Sequence, residues 1–147
     1  MLKFAIAIAG LLVMAPVCHA EEASSPESNE LNIGDVMTFQ QERHFKLWSA
    51  GRAGNWPLAD YEIGKLKDGF DDIDKLLGGE TVSKAVGAPI SAIEKAIESK
   101  NKDSFVRAFD QLTAGCNSCH RTLDHAFIVI QRPTISPYGN QSFAPQK

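Results

Sequence analysis

Apolar side chains recur along the middle of the chain at steps of three and four, the period of one face of an α-helix. From Asp35 onward Val36 or Met37, Gln40, His44, Leu47 and Gly51 share one such stripe. Gly51, Gly54, Asn55 and Pro57 mark its end, and Pro57 suits the first turn of a second helix, where its missing N–H is not needed. Ile63, Leu66, Phe70, Ile73 and Leu77 make the second stripe, stopped by Gly78-Gly79. The third face, Ile90, Ile93 and Ile97, follows a break at Gly87-Ala88-Pro89, with a separate turn of helix expected over 82–86. Asn101-Lys102-Asp103 is the next break, and Asp103 is the predicted cap of a fourth helix. Its stripe is Phe105, Phe109, Leu112, Cys116, Cys119 and Leu123, which puts both cysteines on the buried face.

Four amphipathic helices with short connections predict an all-α, four-helix up-and-down bundle over residues 34–126. Phe127-Ile128-Val129-Ile130 is a lone β-branched run ending at Pro133. Residues 127–147, with Pro133, Pro137, Gly139 and Pro145, are expected to form an irregular extension packed on the domain. No internal repeat is visible.

The ends of the chain and its charge narrow the setting. Lys3, an apolar stretch from Phe4 to Val17 and a small residue at Ala20 before Glu21-Glu22 make a secretory signal over 1–20. The apolar run is too short for a membrane anchor, and Pro16-Val17 before Cys18 does not suit a lipoprotein. Residues 21–33, rich in Glu, Ser and Asn, have too little apolar content to pack and read as a flexible lead-in. Removing Lys3 with the signal leaves 14 of the 15 basic residues against 18 acidic ones, a net charge of −4. That balance argues against a nucleic-acid binder, and no stable membrane insertion is expected.

Only two cysteines then remain, too few for a disulfide scaffold. They stand in Cys116-Asn117-Ser118-Cys119-His120, the C-x-x-C-H signature of covalent haem attachment. On a helix, residues three apart face the same way, so both thiols can add to the two vinyl groups of one macrocycle while His120 follows as axial ligand. Zinc would need a further ligand pair, and the mature sequence holds no other cysteine and only His44 and His125 besides. A thiol oxidoreductase would carry its C-x-x-C at a strand-to-helix start, not late in a helical chain. The prediction is one haem c per chain, bound by Cys116 and Cys119, with His120 on the iron.

A single C-x-x-C-H close to the C-terminus after three helices resembles the class II c-type cytochromes, the group of cytochrome c prime and its low-spin relatives. The resemblance covers Asp35 to about His125. More narrowly, Arg43-His44-Phe45-Lys46-Leu47-Trp48, Gly54-Asn55-Trp56-Pro57-Leu58-Ala59 and the segment from Phe127 to Phe143 are similar to a subgroup of small proteobacterial periplasmic cytochromes. The resemblance implies a periplasmic single-electron carrier with redox proteins as partners, and homodimers through the first two helices. The extension departs from typical class II chains, which end soon after the haem motif.

The resemblance also implies a sixth iron ligand, or a vacancy, on the first helix. With Met1 and Met14 in the signal, Met37 is the only mature methionine. His125 follows His120 too closely to reach the opposite side. His44, about three turns into the first helix, is the expected metal ligand, ahead of Met37 near the start. Arg43 and Arg52 are candidate partners for haem propionates, and Trp48, Trp56, Phe105 and Phe109 are expected to pack the core. No acid/base pair or nucleophile constellation stands out, so the protein is not expected to be an enzyme. A five-coordinate haem that binds or senses nitric oxide or carbon monoxide is the alternative function. A weak peroxidase, with His44 held off the iron, is a further rival.

Overall fold

The computed structural model describes residues 32–146, so the signal over 1–20 and nearly all of the lead-in lie outside the described residues. It contains four α-helices, α1 (Ile33–Ala53), α2 (Trp56–Leu77), α3 (Thr81–Glu98) and α4 (Lys102–Thr122), and no strand among the described residues. Consecutive helices pair along their lengths, and α1 closes on α4 over a smaller contact, which makes an up-and-down four-helix bundle. No helix among the described residues is long and apolar enough to cross a membrane.

The punctuation residues act as their chemistry requires. Gly54 and Gly78 end α1 and α2 in the left-handed conformation, each returning its N–H to the last turn. Asn55 caps α2, accepting from the Leu58 amide, with Pro57 in the first turn. The fourth helix is capped by Asn101 and not by Asp103: the Asn101 side chain accepts from Ser104 N at 2.9 Å, and Asp103 lies in the first turn beside the helix dipole.

The third helix corrects the expected break. It runs unbroken from Thr81 through Pro89 to Glu98, because Val82, Val86, Ile90, Ile93 and Ile97 form one continuous buried face. That packing outweighs the cost of an internal proline, about 3 kcal/mol. Glu80 gives α3 no side-chain cap. The buried carboxylate of Asp74, from the end of α2, replaces it by accepting from the amides of Val82 (2.7 Å) and Ser83 (2.9 Å) and from the Ser83 hydroxyl. Burial alone would raise the Asp74 pKa, but these donors more than offset it and hold the group below the ordinary carboxylate value.

Two glycines set the helix spacing. A Cβ on Gly51 would stand 2.2 Å from the ring of Phe105, so only glycine lets α1 close on α4 there. A Cβ on Gly115 would stand 2.7 Å from the Ala85 carbonyl oxygen of α3. Pro89 denies that same carbonyl its usual helical donor, and glycine at 115 leaves the space beside it open. The residue preceding Cys116 is thus pressed onto α3.

After α4, Asp124 takes a left-handed conformation and turns the chain back along the bundle. Ile130 is held by Asn117, Arg132 pairs with Asp110 and lies over the Trp48 ring, and Tyr138 and Phe143 pack on Phe45. Asn55, between α1 and α2, then donates to Ala144 O at 3.2 Å. The run 127–130 pairs with no strand. Its residues alternate, as an extended chain must, with Phe127 and Val129 facing solvent while Ile128 and Ile130 line a cavity.

Candidate functional site

The up-and-down topology brings the start of α1, the end of α2, the start of α3 and the end of α4 to one end of the bundle. A cavity of about 630 Å³ lies there, within the rough 300–1,000 Å³ range of small-molecule and cofactor pockets. Its walls are apolar, with Leu66, Phe70, Val82, Val86 and Leu112 among the lining residues. Cys116, Cys119 and His120 all line it, so the motif residues share one concave surface. Helical spacing does this: Cys119 and His120 are buried, Cys116 partly so, and the intervening Ser118 is exposed.

Both cysteines are free thiols. Burial pushes the Cys116 thiol up to about 12, the neighbouring Cys119 adding to the shift. Burial likewise raises Cys119, helped by the Asp74 carboxylate. Thiols held protonated are poor thiolate nucleophiles and unlike the electropositive sites of redox C-x-x-C pairs. Among the described residues no group of three or more His, Cys, Asp or Glu side chains is arranged to hold a metal ion directly.

His120 is positioned by two parts of the chain. Its Nδ1 lies 2.9 Å from the Ile128 carbonyl oxygen, which can only accept, so Nδ1 carries the proton. The lone pair is therefore on Nε2, the nitrogen left to bind a metal. The donor set fits a haem: two thiols three residues apart, an imidazole with one nitrogen committed outward, and an apolar slot.

The first helix supplies both candidates for the other side, since Met37 and His44 each line the cavity. They differ in engagement. His44 lies against Phe109, ring centroids 4.4 Å apart, and its Nε2 is 2.9 Å from Thr113 Oγ1. The Thr113 hydroxyl donates to Phe109 O at 2.9 Å, so the bond to His44 is donated by the ring. Nε2 of His44 is thereby occupied within the protein. The Met37 thioether is partly buried and makes no demand for a hydrogen bond.

The structure does not bring Arg43 or Arg52 to the cavity. Arg43 pairs with the buried Glu62 carboxylate at 3.1 Å and lies over Tyr61, and Arg52 lies over Trp48. The unpaired cost of burying Glu62 explains the first placement. Trp48, Phe105 and Phe109 form a connected aromatic group, joined by Trp56 edge-on to Phe105. Three polar residues around the site carry little or no sequence signal of their role. Gln40 lines the cavity and donates to Leu66 O at 2.8 Å, Thr113 holds His44, and Asn117 holds Ile130. A polar residue on an apolar stripe is the only hint, and Gln40 alone shows it. His125 also lines the cavity, with Nδ1 on Leu123 O.

No protein-family model, curated protein or solved structure matches this chain.

Burial drives the His44 pKa from 6.5 down to about 4. Between these values the unfolded chain binds the proton and the folded one does not, so stability rises with pH across that window. The contribution is complete above 6.5 and is lost as pH falls toward 4, on the order of 3 kcal/mol in all. Urea unfolding at pH 7, 5.5 and 4.5 should show this loss, and His44→Gln should flatten it. Equal slopes in both proteins would rule out His44 as the source.

Proposed function

We propose that this protein is an exported, periplasmic monohaem c-type cytochrome of the class II kind that carries single electrons between redox proteins and catalyses no reaction itself. The observation that carries the reading is the convergence of Cys116, Cys119 and His120 on one apolar cavity at one end of the bundle. When bound, the haem supplies the one-electron ferric/ferrous couple. Cys116 and Cys119 would hold it covalently, and His120 would ligate the iron through Nε2. Leu66, Phe70 and Leu112 line the cavity and would keep water from the ring, which together with the ligands would set the potential.

For the sixth position the geometry favours Met37 over the expected His44, whose Nε2 would first have to leave Thr113. His44 then acts as a buried neutral residue that fixes α1 against α4.

Optical spectra of the purified protein in both oxidation states, with and without carbon monoxide, test the reading. The expected result is a c-type spectrum, low-spin in the ferric state, with no rapid carbon monoxide binding by the ferrous protein. A colourless protein would refute it. A high-spin spectrum with fast carbon monoxide uptake would put gas binding ahead of electron transfer.

A further inference from the structure

The segment after α4 does more than cover the bundle, because its backbone reaches the one nitrogen of His120 that a metal leaves free. The Ile128 carbonyl accepts the Nδ1 proton at 2.9 Å. That carbonyl is fixed from both sides. Upstream, the Ile128 amide donates to His125 O at 2.9 Å, and the His125 amide donates to His120 O at 2.7 Å. Downstream, the Asn117 side chain makes two bonds to Ile130, donating from Nδ2 to its carbonyl and accepting its amide at Oδ1, both 2.8 Å. Asn117 is partly buried, and it occupies a position between the two cysteines that the attachment motif leaves open.

We propose that Asn117 is a positioning residue for the axial histidine: by clamping Ile130 it holds the Ile128 carbonyl on His120 Nδ1–H and so tunes the reduction potential of the bound haem. The inference rests on the haem reading above. A fixed acceptor on Nδ1–H makes the imidazole a stronger electron donor through Nε2, and this favours the ferric state. Releasing the carbonyl leaves Nδ1–H to water, weakens that donation and raises the potential.

The test uses the full mature holoprotein, reading the midpoint potential by spectroelectrochemistry and the exchange of the His120 Nδ1 proton by NMR in the ferrous state. Asn117→Ala should shift the one-electron equilibrium about three- to tenfold toward the ferrous form, at most about 59 mV. The ring proton, protected in the wild type, should exchange quickly. Ile130→Pro removes one of the two clamp bonds without touching the attachment motif, should act in the same direction by less, and decides the matter if Asn117→Ala fails to fold. A haem-loaded variant with an unmoved or lowered potential would overturn the proposal. So would a raised potential with the ring proton still protected, which would make Asn117 a mere anchor of the segment. A wild type without covalent haem would instead remove the haem reading itself, so the two failures are separable.

Discussion

Cys116→Ser/Cys119→Ser protein, secreted from a host able to attach haem c, is expected to carry no covalent haem at all. On the proposed reading each cysteine would supply one thioether sulfur; both line the cavity, and the sequence holds no third cysteine after position 20. Either single substitution leaves one anchor and a reduced yield. The measurement is a denaturing gel stained for haem peroxidase activity, where only thioether-bound haem stays with the chain. A haem-positive band from the double variant would defeat the claim. His120→Ala separates attachment from ligation, since it keeps both sulfurs, so its band should remain while its spectrum loses the low-spin form.

The second large effect is expected on the first helix. Met37→Leu should convert the ferric protein from low-spin to high-spin completely and open the ferrous iron to carbon monoxide, because leucine keeps the volume and loses the sulfur. His44→Gln keeps a side chain able to bond Thr113 and should leave the spin state unchanged. The contrast depends on engagement and not on distance along the helix. If His44→Gln abolishes the low-spin spectrum and Met37→Leu does not, the Thr113 bond yields to the metal and His44 is the ligand, as its depth in α1 alone suggested.

The contrast between His44 and Met37 shows what kind of information a single sequence carries. Helix stripes, Gly54, Pro57, Gly78 and the C-x-x-C-H spacing are local patterns, and the stripes and stops recur in the bundle. Pro89 was misleading because its local preference is opposed by packing along the rest of α3, and intrinsic preference is a weak prior against a continuous buried face. Asn101 in place of Asp103 is a shift of two residues between equally good caps. The engagement of His44 depends on Thr113, 69 positions away, and no periodicity within α1 can reveal it. The same holds for Asn117, whose partner Ile130 lies beyond the end of the helix that carries the motif.

The bundle and the segment that lies along it differ in how they are assembled. The larger helix pairings join neighbours in the sequence, whereas Asn55 meets Ala144 across 89 positions and the segment has no hydrogen-bonded ladder of its own. Contacts of such long sequence separation incur the largest chain-closure entropy and form after the local ones. The segment also exposes Phe127, Val129 and Ile135, and it contributes none of the buried core side chains, all of which come from the helices. Among the described residues it is therefore expected to open at a lower free energy than the helices, detaching while all four stay folded. Each such excursion would uncover the Nδ1 edge of His120, whose time-averaged environment would be a weighted mean of docked and undocked populations.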